Sequence, residues 1–335
     1  MQSSAEDYEE MVEAEDVVHA FKVMLGREPE SQDTINYYRQ SPDVATLRRN
    51  IAACVEFQQV NGTFWIGQHL NEEHSMVDIS ASPEQLNTMF ERIARDWRKL
   101  GDTEPYWSVI TDPSFLIKEI ENTKDLLYAS GVDQIYRIQA LLRRNGLDFP
   151  KGIALDLGCG VGRLSLALAK HMDEVLGVDI SEAHLKHARE RQKSAGIDNA
   201  QFKAITNPAQ IANLPQVDFL LTLIVLQHSP PPVIKTLLGY LLSRLKPGGI
   251  AVFQVPVFKV GYSFSAAEYL KAGSNGDMEM HVLPQREVHA VLREHQIEVL
   301  EIREDNMAWN ANTVSQTFLC RKETSRSWNI AKWAS

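Results

Sequence analysis

The chain of 335 residues is long enough for two domains, or for one large domain with an appendage. Hydrophobic residues make up 44% of it, which excludes a disordered chain, and a net charge of −10 argues against a protein that binds nucleic-acid backbones. The longest apolar stretch, Phe219 to Leu226, is too short to span a membrane, and the acidic, polar N-terminus is unlike a signal peptide. We therefore expect a cytoplasmic protein.

The cysteines also agree with a cytoplasmic protein. Cys54, Cys159 and Cys320 are odd in number, far apart and without CxxC spacing. The sequence thus predicts neither a disulfide framework nor a metal site.

The first 80 residues predict a helical N-terminal module. Apolar residues recur every three or four positions before Gly26, which can close a helix, and again in a second helix that runs to about Phe57. The mixed, polar residues 58–81 are interpreted as a connector. Residues 18–57 are similar to a small helical module found beside glycan-modifying enzymes, which implies a role in docking a partner.

Residues 81–149 are predicted to form a helical lid or linker. Ser82-Pro83-Glu84-Gln85 combines an N-cap, a proline at the first helical position and a capping-box glutamine. The helix that it opens is expected to end at Gly101. A further helix is predicted over 133–145 and is closed by Gly146.

From Lys151 to about residue 322, apolar strands alternate with helices, and residues 323–335 follow as a tail. This alternation predicts an α/β fold, a doubly wound, mostly parallel sheet with helices on both faces. The predicted strands are 153–157, 174–180, 201–205, 217–225, 250–255, 297–303 and 314–320, and the predicted helices are 162–170, 181–195, 229–245 and 285–295.

The sharpest local feature is Asp156-Leu-Gly-Cys-Gly-Val-Gly162, between a strand and a helix. Its glycines allow a tight turn and a close approach of a ligand to the backbone. The spacing differs from that of a dinucleotide site, because Arg163 stands where the third dinucleotide glycine would be. Asp156 would repel a phosphate and suits a cationic amine. Asp179, at the end of the second strand, suits ribose hydroxyls.

This motif resembles the first motif of the class I S-adenosylmethionine-dependent methyltransferases. Val178-Asp179 is similar to their second motif, Val217 to His228 to their fourth, and Leu245-Lys-Pro-Gly-Gly249 to the loop before their fifth strand. The resemblance covers about residues 150–320 and implies a Rossmann-like sheet of seven strands with an all-α module before it. It also implies S-adenosyl-L-methionine as the cofactor, above the carboxyl ends of the strands.

The resemblance assigns roles to particular residues. The glycine loop and Asp156 would surround the methionine and ribose end, Asp179 would hold the ribose hydroxyls, and Ile180 would pack on the adenine. Asn207 would meet the adenine amine. The predicted cofactor-binding residues are Asp156, Gly158, Cys159, Gly160, Gly162, Asp179, Ile180, Asn207, Leu223 and Trp107.

Methyl transfer is an in-line displacement, so the protein mainly positions the two reactants, and a base is needed only for a hydroxyl or a charged amine. His228, after the fourth strand, and His281, in the insertion after the fifth, are the candidate catalytic bases. We expect O-methylation of a small molecule or a glycan, with no nucleic-acid partner. Two alternatives stay open: a cofactor-binding interaction protein without activity, and an NAD-dependent oxidoreductase.

Overall fold

The computed structural model describes residues 12–57, 76–273, 278–308 and 312–324. These residues fall into two compact units, one within Met1–Glu73 and one within His74–Ser335. The predicted connector and the predicted C-terminal tail lie mostly outside the described residues. The finer domain boundaries stay predictions.

Among its described residues, the N-terminal unit has helices α1 (Ala14–Leu25), α2 (Gln32–Tyr38) and α3 (Val44–Ala52), and α1 and α3 supply most of one small buried apolar core. Helix α1 ends at Gly26, whose backbone is left-handed, as the sequence predicts. Helix α2 was not predicted, because it buries no residue and so carries no apolar periodicity; its one sequence signal is Ser31, whose side chain caps it. The buried core residues are Val12, Val17, Ala20, Phe21, Leu25, Leu47 and Ile51.

Helix α4 (Pro83–Thr103) begins with the predicted capping box, in which Gln85 N donates to Ser82 Oγ and Ser82 N donates to Gln85 Oε1. It continues past Gly101, so the prediction that this glycine ends the helix is wrong. A Cβ at Gly101 would lie 2.1 Å from Ser181 Oγ. The glycine therefore permits close packing of the helix against the sheet domain.

Helix α5 (Ile120–Arg144) is longer than the predicted 133–145. Its first half buries Ile120, Leu127 and Tyr128 against the sheet domain. Gly131 lies inside the helix where the chain crosses Arg163, and a Cβ there would be 2.2 Å from the Arg163 carbonyl oxygen. A glycine within a helix suggests a break in the sequence, although here it marks a close contact.

Seven strands form one sheet in the order β3-β2-β1-β4-β5-β7-β6, which confirms the predicted fold class. Strands β1 to β5 are parallel, and β7 is antiparallel to both β5 and β6. Both faces are buried, since neighbouring residues such as Leu220 and Leu221 enter different apolar clusters. The strands are β1 (Ile153–Leu157), β2 (Glu174–Asp179), β3 (Ala200–Ala204), β4 (Val217–Thr222), β5 (Leu245–Lys259), β6 (Ile297–Asp305) and β7 (Thr313–Lys322).

The remaining helices connect and cover these strands. They are α6 (Arg163–Leu168), α7 (Glu182–Ser194), α8 (Pro231–Ser243), α9 (Ala266–Ala272) and α10 (Gln285–Glu294). Short 3-10 helices occur at Pro113–Phe115, Pro208–Asn213 and Leu226–His228. Among the described residues, no helix combines the length and the apolar character that a membrane crossing requires.

Two of the strand ends that differ from the predicted ones have a clear structural cause. The apolar run at 217–225 predicts a strand to Val225, but β4 stops at Thr222 because Ile224 has a φ of 59°. Such a conformation is unusual for a β-branched residue and turns the chain away from the sheet. Strand β5 begins at Leu245, and the predicted turn at 246–249 is a bulge within it, between the pairs Val217–Leu245 and Phe219–Ile250.

Candidate functional site

A cleft lies at the carboxyl ends of three adjacent parallel strands, β2, β1 and β4. Ligands of open α/β sheets bind at this edge of the sheet. Three lining residues end the strands themselves, Asp156 and Leu157 in β1 and Asp179 in β2. The lining residues that follow the three strands are Gly158, Cys159, Gly160, Ile180, Leu223, Ile224 and Val225.

The glycine loop after β1 is shaped by left-handed backbone. Gly158 has a φ of 71°, and a Cβ there would lie 2.3 Å from Val225 Cγ2. Gly158 N and Cys159 N both donate to the carbonyl oxygen of Val178, at 2.7 and 3.2 Å. These bonds hold the loop against the end of β2, and the other side of the loop lines the cleft.

Asp179 ties the glycine loop to the end of β2. Its Oδ2 accepts from Gly160 N at 2.8 Å, and its Oδ1 accepts from Ser181 N at 2.9 Å. A carboxylate can accept about four hydrogen bonds, so both oxygens retain capacity for ligand hydroxyls. The carboxylate thus holds the loop in place and faces the cleft.

Asp156 is buried at the floor of the cleft. Burial raises the pKa of its carboxyl group to about 7, although the hydrogen bond from Ser165 Oγ at 2.5 Å acts in the opposite direction. A cationic ligand would stabilise the charged carboxylate. The site therefore suits the ammonium group that the sequence predicts for this position.

His228 is buried and lines the cleft beside Trp97, with their ring centroids 5.0 Å apart. Its Nδ1 is 2.9 Å from the carbonyl oxygen of Glu279, which can only accept, so Nδ1 carries the proton and Nε2 is the acceptor. Gln227 Nε2 lies 3.3 Å from that acceptor nitrogen. Burial lowers the pKa of His228 to about 4, which leaves a neutral imidazole at pH 7.

A buried amide network holds the end of β4. Gln254 Oε1 accepts from Ile224 N at 3.0 Å, and Gln254 Nε2 donates to Gln227 Oε1 at 3.0 Å and to Ser315 Oγ at 2.7 Å. These bonds fix Ile224 in its left-handed conformation and set the position of His228. Conformational strain of this kind is typical of functional sites.

His281 does not line the cleft. Its Nδ1 is 2.8 Å from the Tyr262 hydroxyl, and its Nε2 is 3.1 Å from Glu279 Oε2. The same carboxylate accepts from Tyr269 and from Arg92, whose Nη2 lies 2.6 Å from Oε1. Both ring nitrogens of His281 are therefore engaged in holding the segment after α9 against α4.

Three other predicted residues lie outside the lining. Gly162, with a φ of 81°, precedes α6 and packs against Ala188 and Phe202. Asn207 caps the 3-10 helix at Pro208–Asn213, where its Oδ1 accepts from Ala209 N at 2.8 Å. Trp107 is half-buried, and its neighbours Ser108 and Val109 line the cleft in its place.

Sequence reasoning missed Ser108, Arg163 and His184, which all line the cleft. Ser108 Oγ and His184 Nε2 are 2.8 Å apart, which joins the segment after α4 to α7. The sequence analysis selects Trp107 from this segment, but the pattern does not indicate which side chain of the segment faces the cleft. In the sequence, Arg163 differs from the glycine of a dinucleotide motif, and this difference does not indicate that its side chain lines the cleft.

We predict that His228 makes stability depend on pH. Its pKa is about 4 when folded and about 6.5 when unfolded, so the unfolded chain binds more protons between these values. Its contribution to the unfolding free energy, up to about 3 kcal/mol, is complete above pH 6.5 and is lost as the pH falls to 4.

Urea unfolding of the wild type and of His228→Asn from pH 4.5 to 7.5 measures this contribution. The free energy of unfolding of the wild type should increase relative to that of the variant as the pH rises, and the difference should become constant near pH 6.5. Asp156 contributes with the opposite sign because its folded pKa is raised, but it is present in both proteins and cancels in the difference. A difference that does not vary with pH would contradict the assignment.

Known proteins are similar to this chain in the region that contains the cleft residues. Residues 154–249 match the family model described as a methyltransferase domain. The chain is 36% identical to a ubiquinone biosynthesis O-methyltransferase of Pseudomonas fluorescens over 117 residues, which are 33% of the chain. It is 34% identical to the enzyme of the same name from Stutzerimonas stutzeri over a stretch of equal length. The chain spans about half the length of these curated relatives, 49% in each case.

Solved structures with a similar chain path include the magnesium protoporphyrin IX methyltransferase of Synechocystis with bound SAM. It is 18% identical, has a TM-score of 0.47, and the alignment covers 69% of this chain and 97% of that one. The match over residues 154–249 confirms the predicted methyltransferase domain. It spans β1 to the bulge of β5 and so includes the glycine loop, Asp179 and His228.

Proposed function

We propose that this chain, which carries a class I methyltransferase domain, transfers a methyl group from S-adenosylmethionine to a hydroxyl group of a small molecule. One observation carries the proposal. Asp156, the loop 158–160 and Asp179 line one cleft at the carboxyl ends of β1 and β2, together with the apolar side chains of Ile180 and Leu223. This arrangement suits a ligand with an amino acid at one end and a nucleoside at the other.

The described residues fit this cofactor. Asp156, buried with a raised pKa, would be stabilised in its charged form by the ammonium group, and Asp179 offers acceptors for ribose hydroxyls. The loop at Gly158 is packed so closely against Val225 that a side chain would not fit. When bound, the cofactor supplies an electrophilic methyl group on a sulfonium leaving group.

Within this proposal His228 is the base. Its Nδ1–H is held by the Glu279 carbonyl, so Nε2 is the atom that takes the proton of the acceptor hydroxyl. Because its pKa is about 4, the imidazole is neutral at physiological pH and can accept a hydrogen bond. Trp97 and the surrounding apolar residues exclude water from the transfer. We assign His281 a positioning role, since it lies outside the cleft.

The acceptor is proposed from similarity and from the chemistry of the cleft. The curated relatives are named O-methyltransferases, which agrees with a neutral histidine placed as a hydroxyl acceptor. A glycan acceptor, docking through the N-terminal helices and a cytoplasmic location rest on the sequence alone and stay proposals.

Calorimetric titration with S-adenosylhomocysteine and with NADH tests the cofactor. We expect micromolar binding of the first and none of the second. Formation of S-adenosylhomocysteine with a panel of hydroxylated aromatic compounds and sugars then tests transfer, and His228→Asn should lower kcat about 100-fold or more without changing cofactor affinity. Binding of NADH alone would contradict the proposal, and cofactor binding without turnover of any acceptor would favour the interaction protein.

A further inference from the structure

Arg163 places a guanidinium group at the wall of the cleft. It is the first residue of α6, directly after the glycine loop, and it lines the cleft together with Asp156. Its backbone is fixed by the close crossing of α5 at Gly131, where a Cβ would lie 2.2 Å from the Arg163 carbonyl oxygen. The position of this side chain is thus set by rigid elements on both sides.

The guanidinium group is poorly partnered. Its Nε is buried without a hydrogen bond, and Nη1 reaches Ser130 Oγ only at 3.4 Å, which is longer than an ordinary N–H···O bond. Within the described ranges of the chain, no carboxylate forms an ion pair with Arg163. The Oδ2 of Asp156, the acid that shares the wall with Arg163, accepts from Ser165.

A buried guanidinium group that forms no ion pair is costly. Burial lowers the pKa of Arg163 to about 10, although the nearby charge of Asp156 acts in the opposite direction. Buried charges in proteins are normally paired, and an arginine fork matches the geometry of a carboxylate. A carboxylate of a ligand in the cleft would therefore complete the pairing of Arg163.

From this we infer that Arg163 binds the α-carboxylate of the methionine part of the cofactor, next to Asp156, which binds its ammonium group. An acid and a base on one wall of the cleft are complementary to the two charges of a zwitterionic amino acid. The inference rests on the proposed function and extends it to the group that recognises the amino acid end of the donor. It also explains why this wall carries opposite charges although the cleft is otherwise largely apolar.

A ligand that lacks only the carboxylate isolates this contact. Decarboxylated S-adenosylmethionine keeps the ammonium, sulfonium and nucleoside groups. By titration calorimetry we expect the wild type to bind it about 10- to 100-fold more weakly than S-adenosylmethionine, the usual effect of losing a charged hydrogen-bonded pair. Arg163→Gln should bind both ligands with the same weak affinity, and Arg163→Lys should recover part of the preference.

Two controls accompany this measurement. Arg143→Gln removes an exposed arginine near the end of α5 and should leave both affinities unchanged. Asp156→Asn should lower the affinity for both ligands by the same factor, since both carry the ammonium group. Thermal melting checks the fold, and Arg163→Gln should not lower the Tm, because it removes a poorly compensated buried charge.

The outcomes separate the two ideas. If the wild type binds neither ligand, the proposed function is wrong. If it binds both, but Arg163→Gln weakens both equally or not at all, the proposed function stands and this inference is wrong. A fall in Tm together with an unchanged ligand preference would make Arg163 a structural residue.

Discussion

Asp179→Ala should reduce the affinity for S-adenosylhomocysteine about 100-fold or more. The substitution removes the acceptors that we assign to the ribose hydroxyls and also the two bonds that hold Gly160 N and Ser181 N. Each hydrogen bond to a charged group contributes about 1.5–3 kcal/mol, so the loss of even one or two accounts for a change of this size. Titration calorimetry measures the affinity, and circular dichroism checks that the variant is folded.

A matched control lies at the other end of the same strand. Asp173, just before β2, also accepts one backbone N–H bond, from Gly152 at 2.9 Å, but it lies at the amino end of the sheet and outside the cleft. Asp173→Ala should leave the affinity unchanged, and Asp179→Asn should give an intermediate loss. If Asp179→Ala and the wild type bind S-adenosylhomocysteine with equal affinity, the assignment of Asp179 to the cofactor site is wrong.

The second large effect is expected from Gly158→Ala. The new Cβ would lie 2.3 Å from Val225 Cγ2 and 2.7 Å from its Cγ1, and it would stand on a backbone with a φ of 71°. The left-handed conformation alone costs about 1–2 kcal/mol for an alanine, and overpacking adds about 1–3 kcal/mol. We therefore expect the free energy of unfolding to fall by about 3 kcal/mol and cofactor binding to be lost as the loop and Val225 move apart.

Gly146→Ala separates these two contributions. Gly146 follows α5 with a φ of 70°, nearly that of Gly158, but no atom lies within 4 Å of a Cβ built there. It should show the conformational cost of about 1–2 kcal/mol alone. Urea denaturation of both variants gives the difference. Similar losses in the two would mean that the loop is not held close to Val225.

Patterns that depend on one element at a time were predictable from the sequence. The alternation of apolar strands and helices indicated the fold, and the spacing of Asp156, the glycines and Asp179 indicated which edge of the sheet carries the site. These residues do lie together at that edge. Apolar periodicity and the succession of strands and helices along the chain are local properties, so they are visible without coordinates.

Contacts between distant segments were not predictable. Ile224 continues an apolar run, but the side chain of Gln254 holds it in a left-handed conformation and ends β4 early. Gly101 resembles a helix stop, but it makes room for Ser181 from another part of the chain. The side of the segment 105–109 that faces the cleft likewise depends on the bond between Ser108 and His184.

The two histidines that the sequence offered as alternative bases are joined through a single residue. The backbone oxygen of Glu279 sets the tautomer of His228, while its carboxylate is bonded to His281, Tyr269 and Arg92. Substitutions in such a network have effects that do not add. Under the proposed function, variation in the segment around Glu279 would change the shape of the cleft beside His228 and the basicity of His228 together, so a new acceptor specificity would come with a change in proton chemistry.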